Sequence, residues 1–141
     1  MKFFSINEAD DEVPRIRQIL HELHGCKTRL EAENVMLTPD EFEQLFEEPS
    51  SKVLQESLEE ELDGEMLLVL KEFASHIKQL EDMGCIVRDF DKGIIDFPCK
   101  FQGKEVFLCW KLGEERIRHW HEWDSDFHGR KKILEIGVKH G

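Results

Sequence analysis

The sequence predicts an α+β fold: a long antiparallel helical hairpin followed by a small antiparallel β-meander of three to four strands. Three observations predict it. Apolar residues recur every three or four positions from Ile6 to Met83. After Gly84 the period changes to two. Two glycine-bearing turn sequences, Asp91-Lys92-Gly93 and Gln102-Gly103, then divide the second part into strands.

The first helix starts at a capping box, Ser5-Ile6-Asn7-Glu8, in which serine caps and glutamate reaches back from the third helical position. Ile6, Ala9, Val13, Ile16, Leu20, Leu23 and Leu30 form its stripe. Pro14 lacks the N–H that would bond to the Asp10 carbonyl, so a kink or a short first helix is expected near Asp11. Residues 34–50 read as a connection. Within it, Thr38-Pro39-Asp40-Glu41 signals a short helix from Asp40 to Glu47. A second long helix is expected from about Ser51 to Met83, with Gly84 as its C-terminal cap and Gly64 as a weak point inside it. Its stripe is Leu54, Leu58, Leu62, Met66, Val69, Phe73, Ile77, Leu80 and Met83. Two such helices pack antiparallel. Stripes of this length also suit a coiled-coil homodimer, and His76 falls on the seam in that reading.

The turns fix a strand register. A three-residue loop at Asp91–Gly93 pairs Arg88 with Asp96, Val87 with Phe97 and Cys85 with Cys99. A two-residue turn at Gln102-Gly103 pairs Asp96 with Cys109, Phe97 with Leu108, Cys99 with Val106 and Lys100 with Glu105. One face then carries Val87, Ile95, Phe97, Val106, Leu108 and Trp110, and should meet the helices. The other carries Arg88, Asp96, Phe107 and Cys109. Residues 116–123 read as a fourth strand, followed by a polar loop and a short basic tail. The 141 residues are read as a single domain, with the hairpin over about 5–83 and the meander and C-terminal loop over about 84–135.

Composition limits the function. The chain is 35% charged with a net charge of −12, and the charge is uneven. Residues 1–99 hold 10 Lys and Arg against 24 Asp and Glu, whereas residues 100–141 hold 9 against 7. An acidic first part repels phosphate backbones and argues against nucleic-acid binding. No apolar run approaches the roughly 20 residues that span a bilayer, and acid stands where a signal peptide would be apolar. A cytoplasmic location without membrane insertion is therefore expected. Four cysteines without a C-x-x-C pair are expected to be buried thiols rather than disulfides or a zinc ribbon.

Residues with chemical potential concentrate near the C-terminus. His119 and His121 lie two apart, so a strand would put both on one face. With Asp124, Asp126 or His128 from the next loop they make a candidate site for a divalent metal ion, although the spacing matches no established pattern. The structural alternative is a pair of packed, half-exposed histidines. Asp96 facing Arg88 and Cys109 is either a carboxylate tuned beside a thiol or a cross-strand ion pair, and the second is the commoner arrangement. Gly129-Arg130-Lys131-Lys132 suits an anion, or is a solubilising tail.

Several segments together resemble a prokaryotic family, the Domain of Unknown Function 2203 family. The resemblance rests on Phe4-Ser5-Ile6-Asn7-Glu8-Ala9 with Val13-Pro14, and on Leu80-Glu81-Asp82-Met83-Gly84-Cys85. It continues through Gly93-Ile94-Ile95-Asp96-Phe97-Pro98, Val106 to Glu114, Trp120-His121-Glu122 and Phe127-His128-Gly129-Arg130. What it implies is a set of positions rather than an activity: Asp96, Pro98, Cys109, Trp110, Gly113, Glu114, His121, Gly129 and Arg130. His119 and His128 stand where the family pattern has other residue types, so a metal site built on either would be peculiar to this chain.

Taken together, the residues point to a non-catalytic interaction or regulatory module, a homodimer formed along its helices, with no cofactor required. The alternative is a small metal-assisted hydrolase. Its candidate catalytic residues are Asp96, Cys109, Glu114, His121 and Arg130, and its metal candidates are His119, His121, Asp124 and His128. In either case Asp96, His121 and Arg130 should converge on the sheet.

Overall fold

Ser5 opens the first helix as the sequence requires. Its Oγ accepts the Glu8 N–H and Glu8 Oε1 accepts the Ser5 N–H, each at 3.1 Å. These bonds hold the Glu8 carboxyl below the usual carboxylate range. Helix α1 then runs through Ile6–Ala32, so of the two outcomes expected at Pro14 the short first helix does not form. One proline costs a helix interior about 3 kcal/mol. Val13, Ile16, Leu20 and Leu23 are each no more than 1% exposed, and burying side chains of this size returns about 1.5–3 kcal/mol apiece. Asn34 ends the helix in the left-handed region (φ 59°), with the Val35 N–H donating to the Leu30 carbonyl at 2.8 Å.

The structure, a computed structural model, describes residues 1–35, 56 and 63–133. The short helix expected over Asp40–Glu47 and the leucines at 54, 58 and 62 lie outside the described residues. Helix α2 spans Gly64–Asp82. Gly64 is therefore the first residue of a helix, and the non-helical Asp63 before it, with Glu56 helical, puts a break where the weak point was expected. The cause is Asp63, whose Oδ1 accepts the Met66 N–H at 2.8 Å while its carbonyl accepts the Leu67 N–H at 3.0 Å. Asp63→Ala is expected to cost about 1 kcal/mol. Asp63→Asn, which keeps an acceptor, should recover most of the loss in urea denaturation.

Two compact units form: Met1–Gln18 with Met83–Gly141, and Ile19–Asp82. In the second, the end of α1 and α2 run antiparallel. Glu22 meets His76 at 3.1 Å and Arg29 meets Glu65 at 3.3 Å. Ile19, Leu20, Leu23 and Leu30 are buried from α1, and Met66, Val69, Leu70, Phe73, Ile77 and Leu80 from α2. His76 is half-buried, with Nδ1 at 3.1 Å from Gln79 Oε1.

The first unit holds an antiparallel meander of five strands in the order β1-β2-β3-β4-β5. They are β1 (Ile86–Asp89), β2 (Ile94–Phe101), β3 (Lys104–Lys111), β4 (His119–Glu122) and β5 (Lys131–Lys132). Two residues are too few to show a period, which is why the sequence reads β5 as tail. The fourth strand is shorter than the expected 116–123. Before it, the Ile117 N–H is taken by Asp10 Oδ1 at 2.7 Å, and after it Ser125 N–H bonds to the Glu122 carbonyl at 3.1 Å.

The β2–β3 register is the expected one, with Asp96 opposite Cys109, Phe97 opposite Leu108 and Cys99 opposite Val106. Gln102 and Gly103 both take positive φ, 53° and 79°, as the two-residue turn demands. The β1–β2 register is not. Ile86 pairs with Asp96, Val87 with Ile95 and Asp89 with Ile94, with a bulge at Arg88. The loop holds four residues because Asp89 Oδ1 captures the Lys92 N–H at 2.9 Å and Gly93 N–H bonds back to the Phe90 carbonyl at 3.3 Å. Gly93 (φ 68°) is required twice over, since a Cβ there would lie 2.5 Å from Leu112 Cβ.

Ile95, Phe97, Cys99, Val106, Leu108 and Trp110 share one sheet face and are at most 4% exposed. The Phe4 ring meets Phe97 edge-on at 5.2 Å, and the Arg17 guanidinium of α1 lies 6.0 Å over Trp110. No disulfide forms and all four cysteines are buried. Burial pushes the Cys85 thiol up to about 12 from an ordinary 9.0. The native thiol thus holds its proton after the unfolded one has released it. Stability is full below pH 9 and falls as pH rises toward 12, by about 1.4 kcal/mol per unit in that window. Urea midpoints between pH 8 and 11 should show the decline, and Cys85→Ala should make it shallower, the other buried thiols supplying the rest.

Candidate functional site

The second sheet face carries polar chemistry in its middle. Asp96 on β2 and His121 on β4 are not on neighbouring strands. Their side chains meet above β3, over Cys109 and Phe107, with Asp96 Oδ2 2.9 Å from His121 Nε2. Asp96 is 1% exposed, and His121 and Cys109 are fully buried. The bulge turns Arg88 onto this face, where its Nε donates to Asp96 Oδ2 at 2.8 Å and its guanidinium lies 4.8 Å over the Phe107 ring. His121 Nδ1 donates to the Glu122 carbonyl at 2.8 Å. Asp96 Oδ1 is buried without a hydrogen-bond partner.

A second knot adjoins the first. The Trp110–Glu114 turn folds back so that Trp110 Nε1 donates to the Glu114 carbonyl at 2.9 Å and the Lys111 N–H donates to Glu114 Oε1 at 2.7 Å. Glu114 also holds Arg130 in a two-pronged pair, 3.0 Å on each oxygen. Arg130 lies 4.2 Å over Phe127, in a short 3₁₀ turn at Phe127–Gly129 whose first N–H groups Asp126 caps. Gly129 leaves no room for a side chain, since a Cβ would collide with Ser125 Oγ. Arg130 also reaches Cys109. Burial and the Asp96 carboxylate push that thiol up to about 12, and Arg130 opposes the shift.

Asp96, Cys109, His121, Glu114 and Arg130 are thus brought onto one face, in two knots joined at Cys109. The loop metal set is not assembled. Asp124 and His128 are exposed, and among the described residues the group whose ligand atoms lie within 4.8 Å of one another is Asp96, Cys109 and His121. His119 is directed elsewhere, with Nδ1 3.5 Å from Glu114 Oε2 and without a hydrogen bond. Burial, then the Arg130 cation, holds its imidazole below the usual range. The sequence reading placed Phe107 on this face but missed Trp123, whose ring stacks on that of Phe107 at 4.2 Å beside His121. Parity along β3 and β4 places both on this face, and that was the available signal.

The pattern of the family described as Uncharacterized conserved protein (DUF2203) matches residues 2–133. The chain belongs to this family. No curated protein and no solved structure matches it. The DUF2203 match spans both knots, from the α1 capping box to the end of β5, and carries no stated activity.

The same unit of this DUF2203 protein has an open groove of about 390 Å³, walled by Asp10, Arg116, Arg118, His119 and Lys132. Asp10 is occupied by the Ile117 N–H, and Arg116, Arg118 and Lys132 are exposed. Ile6, Ile117 and Ile133 line it as well, so the groove is an apolar cleft bordered by three cations in a chain that is acidic as a whole.

Proposed function

We propose that this chain is a non-catalytic interaction module that associates with a second copy of itself through its acidic helices. Burial carries the reading. Asp96, Cys109 and His121 are at most 1% exposed, so a substrate does not reach them. Their bonds tie β2, β3 and β4 together. What meets solvent in the same unit is the cation-bordered groove. Residues 1–99 carry a balance of −14, of which residues 33–63 supply −10, and residues 100–141 a balance of +2, so the groove of one copy complements this acidic stretch of another. The apolar stripes described for α1 and α2 are already buried. The association is therefore electrostatic rather than a coiled coil, and it weakens with salt.

Light scattering at tens of micromolar tests it. A dimer is expected at about 50 mM salt and a monomer at about 500 mM. Arg116→Glu with Arg118→Glu should give a monomer at both. A wild-type monomer at low salt would overturn the reading.

A further inference from the structure

We infer that Asp96, Cys109 and His121 form a buried binding site for a divalent transition-metal ion of the zinc class. The inference begins with proton counting. The Glu122 carbonyl can only accept, so the proton of a neutral His121 ring lies on Nδ1. Nε2 then presents a lone pair. It points at Asp96 Oδ2 from 2.9 Å, and that oxygen already receives the Arg88 N–H. Two electron-rich atoms do not face each other at this distance with nothing between them. Either a second proton or a metal cation must lie there.

Three observations favour the metal. Asp96 Oδ1 is buried without a partner, a cost that ligation removes. The Cys109 sulfur completes a set whose atoms lie within 4.8 Å of one another. A metal-binding imidazole usually donates its other N–H to a carbonyl or carboxylate, as His121 does to Glu122.

The donor types choose the ion. Nitrogen, sulfur and carboxylate together suit zinc, cobalt or ferrous iron and not magnesium or calcium. Bonds of about 2.0–2.3 Å place tetrahedral ligands about 3.3–3.8 Å apart, so Nε2 and Oδ2 would separate by a few tenths of an ångström. A bidentate Asp96 with Sγ and Nε2 supplies four donor atoms. Carboxylate and thiolate balance a 2+ ion, so the ion and its ligands are neutral together, with the Arg88 and Arg130 cations bordering them. Binding releases the Cys109 proton to solvent. With no exposed ligand the ion's role is structural, fastening β4 over β3. This does not depend on self-association, and its test is separate.

The test uses full-length protein expressed without a histidine tag. Metal analysis after purification is expected to find about one equivalent of zinc or iron per chain. After chelation, cobalt(II) titration should produce a thiolate-to-cobalt charge-transfer band in the near ultraviolet. Cys99→Ser, on the opposite sheet face, should keep the band. Cys109→Ser should lose it. Wild-type protein that is folded by circular dichroism yet binds under about a tenth of an equivalent of zinc or cobalt would overturn the site. That result would assign the gap to a proton. A charge-transfer band that persists in Cys109→Ser would overturn it as well. Should that variant fail to fold, the wild-type titration still decides.

Discussion

Replacing His121 with alanine is expected to lower the unfolding free energy by about 3–5 kcal/mol, measured by urea denaturation in chelator so that the side-chain network alone is read. His121 is fully buried and spans from β4 across β3 to a carboxylate on β2. Its removal leaves Asp96, 1% exposed, with Arg88 as its remaining bonded partner, and the Arg88 side chain is 45% exposed. It also opens a cavity beside Phe107, whose ring centroid lies 5.4 Å from the imidazole. Asp96→Asn should cost less, because the amide can still bond to one neighbour and no buried charge is orphaned. The double variant should cost less than the sum of the two, with an interaction of about 1–3 kcal/mol. Simple additivity would mean that the two side chains do not stabilise each other. Unchanged midpoints in both single variants would mean that the network does not hold the sheet.

The parts of this fold that were legible in the sequence are those fixed by local rules. The Ser5–Glu8 capping box and the turn at Gln102-Gly103 each depend on two or three adjacent residues. The second of these alone set Asp96 opposite Cys109. Where two local rules competed, the sequence could not rank them. At the first hairpin, a glycine at position 93 suits a three-residue loop, but the Asp89 carboxylate claims the Lys92 N–H and adds a residue. The register therefore moved by two positions and Arg88 entered a bulge. A shift of two keeps side-chain parity, so the sheet faces survived the error. Pro14 does not end the helix because burial of the same helix outweighs one missing bond. At Gly64 a weak point was expected, but the cap at Asp63 that starts a helix there was not recognised.

The candidate site divides in the same way. Membership of one face follows from parity, which is why Asp96, Cys109 and His121 could be named. Their convergence was expected from a fourth strand antiparallel to the third, although Asp96 and His121 belong to strands separated by β3. Only the β3–β4 pairing of Phe107 with His121 brings the imidazole within reach. The loop histidine and aspartates were attractive as ligands on residue type alone. Asp126 instead spends its carboxylate on the His128 N–H, capping the 3₁₀ turn.

Trp110→Ala is expected to cost about 3–5 kcal/mol and to loosen the C-terminal loop as well. Trp110 is the largest fully buried side chain of the described residues. Its removal leaves a cavity between the sheet and the start of α1, where Arg17 lies over the indole. It also frees the Glu114 carbonyl from Nε1, although Arg17 Nη2 still donates there at 3.3 Å. Trp110→Phe separates the two contributions. It keeps most of the volume, loses one bond whose acceptor retains a partner, and should cost about 1–2 kcal/mol. The wider consequence comes through Glu114. The indole anchors the turn that aims this carboxylate at the Lys111 N–H and at Arg130. Arg130 in turn holds the Phe127 ring. With the anchor gone, amide hydrogen exchange should accelerate at Gly129, Arg130 and Ile133, whose N–H groups bond to Asp126, Phe127 and Arg118. The α2 amides should change only as far as global stability falls. If the loop amides do no more than follow α2, the turn is not what holds the loop, and the Glu114–Arg130 pair is a consequence of packing rather than its cause.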